Sequence, residues 1–384
     1  MTIAFFSNYL THHQIPFCLE MQKQKDAMFY FVSTEPMEEE RKEGGWDFDE
    51  EYPFEIKAYA SADAKAKALQ LAADCDVMMI GSAPEEYVSH RMKHAKTKLT
   101  LRYSERIYKG GRWRVLSPRG ALGRFKTYFR YLGKPLYMLC ASAYTAADLA
   151  MLGSYLGRCY KWGYFPEAYT YDVEALLRSK EKSSLLWVAR MIDWKHPEVP
   201  ILVAKRLKEK GYDFDLNMIG IGPLLADMER LRAKYGLEER VHFLGAMSPT
   251  EVRVHMENSS IFLFTSDGNE GWGAVLNEAM NSGCAVVANR RIGSVPFLIK
   301  NGENGFVYRK NKVDHIVKIV EELLNDGEKV GEVGRNAYET IVNVWSAGFA
   351  SQRLTETCES LLKGRKVFFD DGPCSKAKIR VKKG

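Results

Sequence analysis

The 384-residue chain has room for two or three domains at about 100–200 residues each. Hydrophobic residues make up 46% and charged residues 27%, which excludes wholesale disorder, collagen-like repeats and a membrane-embedded body; no apolar run approaches the roughly 18–20 residues that span a bilayer. The net charge is +6, and the eight bases and two acids from Lys363 onward account for all of it, so the rest of the chain is neutral.

In chain order, the first predicted strand covers 3–7. The opening MTIAFFSNYL is apolar, but it has no basic n-region and no small-residue cleavage site at the expected distance. It reads as a buried strand and not as a signal peptide. Further strands are predicted at 28–32, 76–80, 98–103 and 137–141, and helices at 15–24, 63–73, 85–93, 122–131 and 144–152. The strands are short and several are apolar throughout, which suits a parallel sheet covered on both faces. Residues 35–55 hold ten acids against Arg41 and Lys42. Residues 102–134 hold ten bases against Glu105 alone, with seven aromatic residues interleaved.

A break over 163–184 contains Pro166 and the charged run 178–182. The alternation then restarts, with strands at 185–189, 215–219, 241–244, 261–264 and 285–288 and helices at 197–210, 223–235, 249–258 and 273–282. Pro197, Pro223 and Pro249 stand at helix starts, where a missing N–H costs nothing. Helices at 313–324, 328–342 and 349–362 finish this half, and the basic tail reads as frayed. The seven cysteines (Cys18, Cys75, Cys140, Cys159, Cys284, Cys358, Cys374) are scattered, with no CxxC pair. They suggest neither a disulfide framework nor a zinc site, so a reducing cytoplasm is expected.

The alternation predicts an α/β protein of two Rossmann-like doubly wound domains facing a cleft. The expected division is 1–166, an interdomain linker over 167–183, a second domain over 184–345, a helix over 346–362 that returns to the first domain, and a tail over 363–384. Ligands of such sheets bind outside the strand carboxy-termini. A donor in one domain and an acceptor in the other is the simplest use of that geometry.

The richest stretch is 264–283. A strand ends at Phe264, a polar loop with Gly268, Gly271 and Gly273 comes next, and then a helix starts. Glycines before a helix let backbone N–H groups approach an anion, and a diphosphate fits that description. Glu270 lies in the loop and Glu278 in the helix. Carboxylates there would repel phosphate but would bind sugar hydroxyls on one side and ribose hydroxyls on the other.

This stretch resembles the donor-binding signature of the family 4 retaining glycosyltransferases, which have the GT-B fold. Glu270, Gly271-Trp272-Gly273 and Glu278 match the family's two glutamates around a Gly-aromatic-Gly turn. Asn281-Ser-Gly283, Gly293 with Val295-Pro296, and Asn301-Gly302 through Gly305-Phe306 resemble the family's turn, strand and loop carboxy-terminal to that signature. The resemblance implies that Glu270 contacts the transferred sugar and Glu278 the ribose diol. It implies that the backbone of Gly271, Trp272, Gly273, Ala274 and Val275 lies along the sugar and distal phosphate. Trp187-Val-Ala-Arg190 with Lys195 resembles the family's strand ending in Arg with a Lys five positions on. Both would reach the diphosphate and offset the leaving group's charge. Gly220-Ile-Gly222 resembles the family's glycine turn, and Phe243-Leu244-Gly245 the segment where the base packs.

The amino-terminal half resembles the family more loosely. The first loop lacks the Gly-Gly pair of many members, and His12 and His13 are placed to meet the acceptor. Many members carry a His after the strand at 98–103. This chain reads Tyr103-Ser-Glu-Arg106 there, so Glu105 or Arg106 takes that place. The resemblance implies transfer with retention. No obvious nucleophile sits opposite Glu270, which fits a front-face route, in which the leaving phosphate helps deprotonate the acceptor, better than a covalent intermediate. The donor is expected to be a nucleotide sugar, a UDP-sugar in preference to a GDP-sugar, carrying a hexose. The resemblance also implies no resident cofactor and no essential metal.

The acceptor is expected to be a lipid-linked saccharide in surface polysaccharide synthesis. The enzyme would then be cytoplasmic and peripheral at the inner face of the plasma membrane, with an anionic surface met by 102–134 or by the basic tail. A catalytically inactive GT-B protein that binds carbohydrate or lipid is the alternative. A dinucleotide-dependent oxidoreductase is disfavoured because no GxGxxG follows the first strand, and a nucleic-acid binder because no recognised module accompanies the basic stretch.

Overall fold

A computed structural model describes residues 1–38, 50–109, 111, 123, 125–309 and 312–379, with the backbone alone at Lys126. The chain forms two compact units. One comprises Met1–Glu167 together with the described residues from Trp345 onward, and the other Ala168–Val344.

The first unit holds strands β1 (Thr2–Ser7), β2 (Met28–Ser33), β3 (Glu55–Lys57), β4 (Val77–Ile80), β5 (Leu99–Ser104), β6 (Leu136–Cys140) and β7 (Cys159–Lys161). They pair in parallel in the order β3-β2-β1-β4-β5-β6-β7. Ile3, Ala4, Phe5 and Phe6 of β1 are all buried, because helices cover both faces of a parallel sheet. Those helices are α1 (Ile15–Gln22), α2 (Ala62–Asp74), α3 (Glu85–His94) and α4 (Thr145–Met151). α2 starts at Ser61, whose hydroxyl accepts from the Ala64 N–H at 3.0 Å, a standard N-cap. Arg91 of α3 is fully buried, and its guanidinium donates to the carbonyls of Ala72, Cys75, Asp76 and Leu99 at 2.6–3.1 Å.

The second unit holds β8 (Glu181–Val188), β9 (Asp215–Ile219), β10 (Val241–Gly245), β11 (Ser259–Phe264), β12 (Ala285–Asn289) and β13 (Phe306–Tyr308), in the parallel order β10-β9-β8-β11-β12-β13. Its helices are α5 (Val173–Ser179), α6 (Glu198–Glu209), α7 (Leu225–Lys234), α8 (Pro249–Asn258), α9 (Val275–Asn281), α10 (Val295–Leu298), α11 (Val313–Asn325) and α12 (Gly327–Val344). Leu185, Trp187, Leu216, Met218, Ile261 and Leu263 point into one core with α6 and α11. The strand order reverses between β8 and β11, which makes their carboxy-terminal ends the switch point of the sheet.

The segment expected as an interdomain linker, 167–183, carries secondary structure. Asp172 caps α5 through the Ala175 N–H at 3.1 Å, and the charged run becomes the end of that helix and the start of β8. Its polarity reflects exposure, not lack of structure. Within the predicted helix over 122–131, Phe125–Phe129 form one π-type turn. Tyr128 and Tyr131 pack against the first core while Phe125 stays 57% exposed. Arg124 and 112–122 lie outside the described residues.

The end of the chain is not frayed as far as Ile379. The last helix, α13 (Ala347–Leu362), packs on α1, where Gln24 donates to the Ser351 hydroxyl at 3.2 Å. Beyond it the chain runs antiparallel to β7, through Lys161 N to Ser375 O (2.7 Å), Cys374 N to Lys161 O (2.8 Å) and Ala377 N to Cys159 O (3.1 Å). The edge strand's unpaired N–H and C=O groups draw it in. Among the described residues no helix is long and apolar enough to cross a membrane.

Candidate active site

In the second unit the predicted donor residues gather at the carboxy-terminal ends of the strands. Arg190 follows β8, Gly220 and Gly222 follow β9, Phe243 and Leu244 close β10, and the loop 265–274 follows β11. The turn Asp193–Lys195 and that loop are stitched together across the switch point. The Trp187 indole donates to the Thr265 hydroxyl (2.8 Å), which bonds the Lys195 carbonyl (2.8 Å). The Asp267 N–H donates to the Trp194 carbonyl (2.9 Å). On this frame the Lys195 ammonium pairs with the Glu270 carboxylate, both nearly buried, and lies 4.3 Å from the centre of the Trp194 ring. Arg190 is exposed and makes no side-chain hydrogen bond or ion pair with the described residues.

Three glycines of the site are fixed by close approach, Gly220, Gly222 and Gly273; a Cβ at Gly222 would sit 2.5 Å from the Met191 carbonyl oxygen. Gly220 has φ +129°, and a Cβ there would sit 2.0 Å from the Ala189 carbonyl oxygen. Gly273 has φ +81°, and its Cβ would sit 2.4 Å from the Phe264 ring and 3.1 Å from Glu270 Cγ. A larger residue at 273 would push Glu270 off Lys195. Trp272 is fully buried. Its indole donates to Asn277 (2.9 Å), and its carbonyl accepts from the Ser294 hydroxyl (2.6 Å). Its ring therefore belongs to the framework, and Gly271 is buried beside it. Gly273, Ala274 and Val275 are partly exposed at the head of α9, where the first N–H groups of a helix lack intrahelical partners.

Glu278 lies in α9, partly exposed, and burial pushes its carboxyl above the usual glutamate range while nearby Arg253 pulls it back. Arg253, from α8, donates to Asn281 Oδ1 (3.0 Å) and the Glu278 carbonyl (3.3 Å) and stacks on Tyr169 at 4.6 Å. α8 is itself held by a capping box, with the Glu251 N–H to Ser248 Oγ at 3.3 Å and the Ser248 N–H to Glu251 Oε2 at 2.8 Å.

In the first unit, β5 ends at Ser104 and the next residues diverge. Glu105 accepts from the Tyr164 hydroxyl (3.0 Å) and from Lys109 Nζ (2.5 Å). Arg106 is drawn back to the fully buried Asp148, with Nε 3.7 Å from Oδ2, and lies over the Tyr144 ring at 4.8 Å. His12 and His13 follow β1, half-buried, with ring centres 3.8 Å apart; His13 lies 6.4 Å from the Tyr164 ring. Burial pushes the His12 imidazole below the usual histidine range. His13, Tyr164 and Glu105 thus share one neighbourhood, whereas Arg106 serves the frame.

Several positioning residues escape a reading of the sequence. His196 has a left-handed backbone (φ 54°), bonds Glu198 through Nδ1 at 2.8 Å and faces Asp267 at 3.9 Å. Glu198 and, after it, Asp267 hold its imidazole above the usual histidine range. Thr265 and Arg253 belong to the same class. Their partners lie 25–78 positions away, so no local spacing marks them. Among the described residues no three His, Cys, Asp or Glu side chains are grouped as a metal site.

Residues 171–340 match the sequence model of the family described as Glycosyl transferases group 1. Curated relatives include the GDP-mannose-dependent alpha-(1-6)-phosphatidylinositol monomannoside mannosyltransferase of Mycolicibacterium smegmatis, 27% identical over 207 residues, covering 51% of this chain and 53% of that protein. The amylovoran biosynthesis glycosyltransferase AmsK of Erwinia amylovora is 29% identical over 182 residues, 46% of this chain and 44% of that protein. The chain spans about half the length of the curated relatives it matches. Among solved structures, Anabaena HepE in complex with UDP superposes with a TM-score of 0.67 at 16% identity, covering 94% of this chain and all of that one. That likeness establishes the GT-B fold.

Proposed function

We propose that this chain, whose residues 171–340 match the group 1 glycosyl transferases, transfers a hexose from a nucleotide sugar to a saccharide acceptor with retention at the anomeric carbon. The observation that carries the reading is the Lys195–Glu270 pair beside the exposed Arg190, at the switch point of the second sheet. An incoming diphosphate competes for Lys195 and takes Arg190 as well. Glu270, released from Lys195, then accepts a hydroxyl of the transferred sugar, and Glu278 accepts the ribose diol. As the bond from anomeric carbon to phosphate oxygen breaks, the two cations hold the charge on the leaving diphosphate. The acceptor oxygen bonds to the same face of that carbon, and its proton passes to the leaving phosphate. Arg190 and Lys195 supply the charge that a metal supplies elsewhere. Phe243, Leu244, Gly220 and Gly222 are assigned to the base and the adjoining nucleotide. Glu105, His12 and His13 are assigned to the acceptor side.

UDP is the nucleotide we carry forward. HepE is described with UDP, whereas the M. smegmatis relative is named for GDP-mannose, so the assay must contain both. AmsK is named for polysaccharide synthesis and the mannosyltransferase for a phosphatidylinositol acceptor. A lipid-linked saccharide acceptor and a peripheral place at the inner membrane face are the corresponding proposals here.

The test is release of nucleoside diphosphate from a panel of sugar nucleotides. One donor is expected to turn over well above the rest. Glu270→Ala should slow that turnover by at least about tenfold, the value of one charge-assisted hydrogen bond, while free diphosphate binds within a few-fold of the parent. Nucleotide binding without release from any donor would make the chain an inactive binding protein.

A further inference from the structure

The amino-terminal edge of the first sheet carries a surface that this chemistry does not use. β6 and β7 begin there, and the residues leading into them line a cavity of 210 Å³. Tyr128, Tyr131 and Tyr155 wall it. Leu132 and Leu156 also line it and are 52% and 59% exposed. Lys134 and Arg158 complete it, with Arg158 donating to the Lys134 carbonyl at 2.5 Å.

The returning tail extends this surface. It pairs antiparallel with β7 at Tyr160 and Lys376 and reaches Cys159, the first residue of β7, through the Ala377 N–H. Ile379 is 50% exposed, and the Lys376 ammonium donates to the Gly157 carbonyl at 2.6 Å. Residues 123–136, 149–161 and 376–379 contain no acid at all. The neighbouring acids are occupied, Glu85 by Arg102 and Asp371 by Lys161. Glu105, by contrast, follows the carboxy-terminal end of β5, at the opposite end of the sheet.

Exposed Leu and Ile side chains gain nothing from a soluble polyanion, and bases gain nothing from uncharged lipid. Both are used where phosphate overlies hydrocarbon. We infer that this corner of the first unit docks on an anionic phospholipid surface, with Leu132, Leu156 and Ile379 entering the headgroup layer and Arg130, Lys134, Arg158 and Lys376 meeting the phosphates. The inference deepens the lipid-linked reading above. Its test contains neither donor nor acceptor, so either can fail without the other.

The test is co-sedimentation of the full chain with phosphatidylglycerol or phosphatidylcholine vesicles. Binding is expected to the anionic vesicles alone, and to fall with salt. Leu132→Asp with Leu156→Asp should bind at least tenfold more weakly with unchanged circular dichroism, since both side chains are exposed. Lys134→Glu with Lys376→Glu should also lose about tenfold or more, because each base near such a surface is worth roughly fivefold. Lys382→Ala with Lys383→Ala, in the tail, should lose less than either pair. Absent or vesicle-independent binding, a leucine-pair variant that binds like the parent, or a tail variant that loses all binding would each overturn the proposal.

Discussion

Glu278 combines a proposed binding role with a cost in stability. Burial raises its carboxyl pKa above that of the unfolded chain, so the folded state holds the proton more tightly. The stability that this group contributes is therefore fully present below the unfolded value and is lost as pH rises through the folded one. At neutral pH the charged carboxylate is a cost, which the two donor hydroxyls proposed for it would offset. Glu278→Gln removes the cost and one of the strong acceptors together. We expect thermal melts of this variant to equal or exceed the parent at neutral pH, with the difference shrinking towards acid. Calorimetry should show donor binding weakened by at least about tenfold. A variant that melts lower at neutral pH and binds normally would reverse both assignments.

At the scale of elements, the carboxy-terminal helix α13 belongs to the first unit although it comes after the second in sequence. Ala350, Leu354 and Cys358 recur at helical spacing and are fully buried, so the helix completes the layer over α1. Leu354→Ala should cost about 2–5 kcal/mol in urea unfolding, as truncation of a fully buried leucine does, and Leu354→Met less than about 1.5. An unchanged midpoint would mean that α13 does not need this layer. The tail beyond it uses a different device. Arg353 donates to the Asp371 carbonyl at 2.5 Å, with the Phe349 and Phe369 rings on it at 4.5 and 4.2 Å.

For the whole molecule, the net charge of +6 sits in the final segment, while the cations proposed for chemistry are two residues in the second unit. With Arg190 and Lys195 in their proposed roles at the leaving group, turnover is expected to persist in excess EDTA. Full loss, restored by magnesium or manganese, would move that task to a metal.

The alternation of strands and helices, the two doubly wound halves and the Glu270–Glu278 constellation are legible in the order of residues alone. These rest on local signals: apolar runs of strand length, prolines at helix starts and glycines in a strand-to-helix turn. Strands of three residues, β3, β7 and β13, are illegible, since so few residues carry no periodicity. Packing in three dimensions is what takes the charged run 178–182 into a helix and a strand, and what pairs the tail with β7. Packing also brings Glu270 to Lys195 across 75 positions while Arg106 goes to Asp148. Such pairings depend on which strand ends become neighbours when the sheet order reverses, and spacing along one chain does not encode that order.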